Sequence, residues 1–299
     1  MEKNRIGSTR IMTSVEPGVI ALQYTDSWSA FDRGSSPQTI PGIGAARCAC
    51  AVKSFRLAGE AGLPTHFLEQ IDPVTIYVQE FAVPGRESLS GKVHGRVLDA
   101  EWLWRAYVYG SLLERIQKGK ADLVSLGFTP DAVVTEGTKL PHLLQECTTK
   151  FEPTDRHLTD TEARERTGLS ETQWKEARQL IGGAVEVIGK QYERAGFVSP
   201  DGKFELGQTV GGKVILVDVF GTPDENRILE KATGDVYSKD ILRNYLKALP
   251  WKGELDRAKA ANPTAKSKWP EYPTLPAEFV DLVARRYAEV AKRYAGVDV

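Results

Sequence analysis

Strand-like alternation in the first third of the chain, a glycine-punctuated hairpin in the second half and two amphipathic helices predict a protein of mixed α and β structure. Ile20-Ala-Leu-Gln-Tyr-Thr25 alternates like a half-buried strand, and residues 76–83 form a second apolar run of strand length. Between them, residues 45–61 are alanine-rich, carry Lys53 and Arg56, and are closed as a helix by Gly62-Leu-Pro64. Residues 84–95 have turn chemistry throughout and read as a surface loop between two lobes, residues 1–98 and 99–299. Ser170 with Gln173 spells a capping box, followed by Trp174, Ala177, Ile181, Ala184, Val185 and Ile188 on one helical face, and Gly196 ends that helix. Near the end of the chain Pro276 suits a first helical turn. Phe279, Val280, Val283, Tyr287, Val290, Ala291 and Tyr294 then form a buried stripe. Residues 250–276, rich in Lys, Pro and Trp, read either as an ordered excursion or as a partner contact. Trp251, Trp269 and Tyr272 within them leave a homo-oligomer open.

Composition narrows the function. Among 299 residues, 39 basic and 40 acidic side chains leave a net charge of -1, which excludes a nucleic-acid binder that works through a basic surplus. Apolar runs such as Val214–Val217 are far too short to cross a bilayer, and the charged first residues have no apolar stretch behind them. Cys48, Cys50 and Cys147 form no Cys-x-x-Cys pair and read as reduced thiols of a cytoplasmic protein, the first two packed as small hydrophobes. His66, His94, His142 and His157 show no metal-ligand spacing.

The densest chemistry lies in residues 201–220. Strand-like runs flank Gly211-Gly212, a pair suited to a two-residue hairpin turn. That turn pairs residue 210 with 213 and sets Glu205 directly across from Asp218. Two facing carboxylates destabilise a sheet unless a cation joins them, and Mg²⁺ takes one or two carboxylates plus nucleotide phosphates. Asp201 and Lys203 share the face of Glu205, which suits phosphoryl transfer. Residues 98–111 alternate likewise. Glu101, Leu103, Arg105, Tyr107 and Tyr109 fall on one face, and Gly110-Ser111 opens a helix whose N-terminus favours anions. Arg105 with that turn is a candidate phosphate grip; Glu101 is a candidate partner of a metal-bound carboxylate. A solvated surface strand remains the alternative.

In order along nearly the whole chain, Asp26-Ser-Trp-Ser-Ala-Phe-Asp32, Ile40-Pro-Gly42, Ala61-Gly-Leu-Pro64, Arg105-x4-Gly110-Ser111, Glu136-Gly-Thr-Lys-Leu-Pro141 and Thr149-Lys150 are followed by several more matching pieces. These are Ala195-Gly196, Asp201-x-Lys203-x-Glu205, Asp218, Thr222-Pro-Asp224-x-x-Arg227, Ser238-Lys-Asp-x-x-Arg243 and Leu275-Pro276. The pattern resembles the SAICAR synthase (phosphoribosylaminoimidazole-succinocarboxamide synthase) family. The resemblance implies an α+β carbon–nitrogen ligase with ATP held between a small antiparallel N-terminal lobe and a larger C-terminal one. ATP phosphorylates the carboxylate of an aminoimidazole ribotide, and the amine of aspartate displaces phosphate. By position, Glu205 and Asp218 would hold the Mg²⁺ of the nucleotide, while Glu101 and Asp201 would meet a metal at the substrate carboxylate beside Lys203. Arg105, Ser111 and Arg227 would grip the ribotide phosphate, Gly7 and Arg10 would cover the ATP phosphates, and Ser29, Asp32, Asp224, Lys239 and Arg243 would contact substrate.

The chain departs from the family pattern at Gly7-Ser-Thr-Arg10, Ser27, Ile43, Asp155-Arg-His157 and Val219, mostly by losing charge. Those losses keep open a relative that ligates an amino acid to a different heterocyclic carboxylate. Asp201-x-Lys203-x-x-x-Gly207 also looks like the Asp-x-Lys-x-Gly motif of inositol polyphosphate kinases, so a small-molecule kinase is the second reading.

Overall fold

Alternation in the first part of the chain builds an antiparallel sheet. In the computed structural model, which describes residues 3–152 and 155–299, β1 (Asn4–Ile6), β2 (Arg10–Glu16) and β3 (Val19–Tyr24) precede α1 (Ile43–Glu60), and β4 (Phe67–Asp72) and β5 (Thr75–Gln79) follow it. The strand order is β1-β2-β3-β5-β4. Alanine, cysteine and valine make α1 thin and mostly apolar, so it is buried on most sides, with Lys53, Arg56 and Glu60 on the narrow face left toward water. It packs between β3 and β5 on one side and the last helices on the other. Its start is capped from a distance: the Asp26 carboxylate accepts the backbone N–H groups of Gly42 (3.1 Å) and Gly44 (2.9 Å). Position 44 must be glycine, because a Cβ there would stand 2.8 Å from the Thr25 carbonyl oxygen.

The strand expected over 76–83 ends at Gln79. Glu80 is buried and its carboxylate accepts hydrogen bonds from Ser88, Leu89 and Ser90, which fastens the 84–95 loop. Ala82 then pairs with the start of β6 (Gly95–Tyr107), so the run crosses from one sheet to the next. β6 leads into α2 (Gly110–Gln117), β7 (Lys139–Thr148), β8 (His157–Leu158), α3 (Asp160–Thr167) and α4 (Glu171–Arg194). After β9 (Phe197–Val198), β10 (Asp201–Thr209) and β11 (Val214–Val217) complete a second antiparallel sheet of order β11-β10-β6-β7-β8. The capping box at Ser170 and Gln173 and the apolar face of α4 are formed as the sequence predicts. β12 (Leu229–Glu230), α5 (Asp240–Lys247), α6 (Pro250–Ala261) and α7 (Ala277–Val290) follow, and α7 runs on into a π-helical turn, Ala291–Ala295. Val283, Tyr287, Val290, Ala291 and Tyr294 of the expected stripe are buried. No helix among the described residues is long and apolar enough to cross a membrane.

One expectation fails. The hairpin turn takes three residues, not two: Gly212, at φ 83°, donates its N–H to the Thr209 carbonyl, and Thr209 N–H bonds the Lys213 carbonyl. The register therefore slips by one, so Glu205 pairs with Val217 and not with Asp218. Of the two readings of residues 250–276, the structure shows the ordered excursion. Trp251, Trp269 and Tyr272 are buried against this chain, and the Tyr272 hydroxyl donates to the Ala30 carbonyl at 2.6 Å.

A buried ion pair joins the layers. Arg47 of α1 contacts the Asp224 carboxylate at 3.1 Å, the Tyr287 hydroxyl of α7 donates to the other oxygen at 2.8 Å, and Arg47 also donates to the Thr25 and Ser27 carbonyls. Burial pushes the Asp224 pKa up, but the charges of Arg47 and Lys239 outweigh it and hold the carboxyl down at about 2. Below its ordinary value of about 3.9, that carboxylate contributes stability that is fully present above pH ~4 and lost as pH falls toward the folded value. Arg47→Met leaves Asp224 buried without its counter-charge, and we expect a loss of about 3–5 kcal/mol in urea unfolding at pH 7. An unchanged urea midpoint would refute the role assigned to the pair.

Candidate functional site

Alternation along β6 and β10 turns one row of polar side chains toward a cavity of about 650 Å³, walled also by the β1–β2 turn, residues 222–227 and the start of α5. Glu101, Leu103 and Arg105 of β6 and Asp201, Lys203 and Glu205 of β10 face it, while Trp102 is turned into the core and the buried Trp104 reaches the cavity wall. The pairing of these strands sets Asp201 across from Arg105 and Glu205 across from Glu101. The facing carboxylates foreseen for Glu205 and Asp218 are thus Glu205 and Glu101.

Each of those two acids holds a lysine. Lys203 Nζ lies 2.6 Å from Glu101, and Lys150 makes an ion pair with Glu205. Burial draws the Lys150 pKa down to about 8, while burial of Lys203 is outweighed by Glu101 and Glu225, so its pKa rises. Asp218 still reaches the cavity although the register argues against it. It lies just beyond β11 with φ 56°, a left-handed conformation that re-aims its side chain. There it takes two bonds from Arg10, at 2.7 and 3.1 Å. Burial opposes its charge, but Arg10 and Lys150 outweigh that and hold the carboxyl down at about 2. Gly7 does not line the cavity; its N–H closes the turn onto the Arg10 carbonyl at 2.8 Å, leaving Ser8, Thr9 and Arg10 at the rim.

The other end of the cavity is basic. Arg105 contacts Glu146 at 3.1 Å, Asp201 at 3.5 Å and the Ser111 hydroxyl at 3.0 Å, where α2 begins. Arg227 pairs with Asp240 at 2.7 Å and with Asp201 at 3.5 Å, and Arg243 with Asp240 at 3.1 Å. Asp201 therefore sits among arginines rather than beside Glu205. Among the described residues Lys239 has no carboxylate within salt-bridge distance; its Nζ lies 3.4 Å from the Ser29 hydroxyl. Asp32 lines the cavity mouth, paired with Lys259 of α6 at 3.3 Å, and both Phe31 and Asp32 hold left-handed backbone conformations. Asp224 is committed to Arg47, so it anchors the wall it was expected to lend to substrate. His157 is not among the cavity-lining residues, whereas Asp155 is.

Sequence reasoning missed Lys150, Glu146, Glu225 and Asp240. Lys150 stood in the matched Thr149-Lys150 pair and Glu225 in an unassigned place between Asp224 and Arg227, so position alone marked both. All four acids expected to ligate metal line the cavity. Among the described residues, however, no three His, Cys, Asp or Glu side chains gather closely enough to hold an ion by themselves. Two hard carboxylates with room for further oxygens do suit Mg²⁺, which keeps phosphates and water as its remaining ligands.

A family model described as SAICAR synthetase matches residues 4–258. A phosphoribosylaminoimidazole-succinocarboxamide synthase of Thermoplasma acidophilum is 32% identical over 284 residues, 93% of each chain. Among solved structures, a SAICAR synthetase in complex with ADP superposes with a TM-score of 0.72 at 19% identity, covering 99% of both chains. A SAICAR synthase from Saccharomyces cerevisiae complexed with SAICAR gives 0.73 at 19% identity, covering 99% of this chain and 95% of that one. These superpositions agree with the α+β architecture described above.

Asp155 offers a direct check on the field in the cavity. Burial, then the like charges of Glu101 and Asp32, push its pKa up to about 6. A carbonyl-detected NMR titration should place its midpoint near that value, and Glu101→Gln should lower it. A midpoint unmoved by that substitution would place the two carboxylates too far apart to interact.

Proposed function

The chain belongs to the SAICAR synthetase family, and on that premise we propose that its cavity joins a ribotide carboxylate to the amine of aspartate at the expense of ATP, as a carbon–nitrogen ligase of purine biosynthesis. The observation that carries the reading is one cavity with two electrostatic ends, an acid–lysine row on β6 and β10 and an arginine group around Ser111. Arg105, Arg227 and the opening of α2 suit a phosphate monoester, because guanidinium groups and helix N–H groups both recognise that dianion. Glu146 keeps Arg105 oriented from behind, and it also holds Arg115 at 2.5 Å.

At the opposite end the nucleotide lies between the two sheets, its phosphates under Ser8, Thr9 and Arg10. Glu205 and Asp218 are the residues that would hold Mg²⁺, with Glu101 toward the substrate carboxylate. When bound, the ion neutralises the charge that gathers on the transferred phosphoryl oxygens. The protein's own share is positioning. Lys203 neutralises the substrate carboxylate as it approaches the γ-phosphate, Arg10 and Lys150 can turn from their carboxylates to phosphate oxygens, and Lys239 with Ser29 suits a carboxylate of the amino acid. Glu101, Lys203 and Arg105 are held by the sheet and by ion pairs before substrate arrives, so these groups need little reorganisation in the transition state. The ADP complex of the structural neighbour supports nucleotide binding here. A kinase would use the acid–lysine row but has no need of the Lys239 pocket.

The test is phosphate release from ATP with carboxyaminoimidazole ribotide and aspartate, each omitted in turn. Glu205→Ala and Asp218→Ala should each lower turnover by at least about 100-fold with circular dichroism unchanged. Wild-type turnover in the double alanine variant, or phosphate release that ignores aspartate, would defeat the proposal. Glu146→Gln should leave the ATP KM alone and raise the ribotide KM by about 10- to 150-fold, as a lost charged hydrogen bond worth about 1.5–3 kcal/mol requires. A ribotide KM equal to that of the wild type would remove Glu146 from the phosphate grip.

A further inference from the structure

Most charges in the cavity are already paired, which makes the unpaired ones informative. Arg10 is taken by Asp218, Lys203 by Glu101, Arg47 by Asp224, and Arg227 by Asp201 and Asp240. Glu225 lines the cavity among them and has no salt bridge among the described residues. Its carboxylate accepts a single hydrogen bond, from the Thr222 hydroxyl at 3.1 Å. Its main chain is held at both ends: the N–H donates to the Thr222 carbonyl at 3.2 Å, and the carbonyl accepts the Lys203 N–H at 3.1 Å. The same turn fixes Lys239, whose N–H donates to the Pro223 carbonyl at 2.8 Å and whose ammonium has, among the described residues, Ser29 but no carboxylate. An anion-seeking and a cation-seeking group are thus set from one short segment, out of salt-bridge reach of each other, and a zwitterionic amino acid satisfies both.

We propose that Glu225 is a catalytic residue that receives a proton from the ammonium group of the incoming amino acid while Lys239 and Ser29 hold its carboxylate. The inference rests on the ligase reading above. An N–H bond of the ammonium breaks and its proton goes to the Glu225 carboxylate. The freed electron pair forms the C–N bond at the acyl phosphate carbon. The C–O bond to phosphate then breaks, phosphate leaves with that electron pair, and the second nitrogen proton follows it. Facing Glu225 are Lys203 of β10, Arg10 of β2, Asp218 beyond β11, Asp224 of its own turn, Lys239 ahead of α5 and Arg47 of α1. Burial raises the Glu225 pKa; Lys203 and Arg10 oppose the rise, and Asp224 and Asp218 add to it. A carboxylate lifted in this way is a better base near neutral pH.

Glu225→Gln separates this role from any other when two reactions are followed in the full chain. Phosphate release with aspartate needs the base. Hydroxamate formation from hydroxylamine, an amine largely uncharged near neutral pH, reports the acyl phosphate without needing one. The variant should lose about 10²- to 10⁴-fold in turnover with aspartate and keep hydroxamate formation at the wild-type rate. Loss of both reactions with the fold intact, or of neither, would overturn the proposal. So would a selective loss in Asp155→Asn, the other lining carboxylate without a salt bridge among the described residues, that Glu225→Gln does not show. Should the glutamine variant not fold, Glu225→Asp keeps the charge at a shorter reach and is expected to slow the aspartate reaction alone. A wild-type chain that makes no hydroxamate would instead count against the ligase reading itself.

Discussion

The whole arrangement hangs on an arginine and an aspartate that neutralise each other in a nearly dry interior. Arg47 and Asp224 lie at 2% and 8% side-chain exposure, where two unpaired charges would each cost several kcal/mol. Their mutual attraction is supplemented by the Tyr287 hydroxyl and by two carbonyl acceptors of the segment before α1. One contact therefore ties the central helix, the last helix and the 222–227 turn together. That turn carries Glu225 and Arg227 and bonds the main chain of Lys203 and Lys239, so the cavity inherits its shape from a pair that faces it only at the edge.

Much of this was open to reading in the sequence wherever a period governs. The capping box and apolar face of α4, the stripe of α7 and the alternation of Glu101, Leu103 and Arg105 all survive into the structure, because helix and strand repeat at fixed intervals. The hairpin shows where such reasoning breaks. A glycine pair fits a turn of two residues or a turn of three, and the difference of one residue exchanges the faces of a strand. Asp218 reaches the cavity only because a left-handed backbone undoes that exchange, and no periodic rule foretells such a residue. Lys150, Glu146 and Glu225 carry the least signal, since a lone charge outside a helical pattern shows neither which way it points nor what it meets. The burial of Asp224 was illegible for a related reason: its partner, Arg47, lies far upstream on a helix.

The electrostatics of the cavity follow from sheet geometry. Antiparallel pairing places Glu205 opposite Glu101, a contact that would repel in isolation. Two lysines from different elements relieve it, one from β10 itself and one from the segment after β7. At the far end Asp201 plays the reverse part and separates two guanidinium groups. The row is thus nearly balanced overall yet strongly patterned along its length, in a chain whose net charge is only -1.

The position of α1 also bears on how the polypeptide is made. This helix is mostly apolar, yet α7 and the π-helical turn that cover it come last in the chain. About 220 residues separate the end of α1 at Glu60 from the start of α7 at Ala277, so the helix is made long before its cover. Contacts so distant along the chain close slowly. Until those two elements dock, the side of α1 that they cover in the folded protein stays open to water.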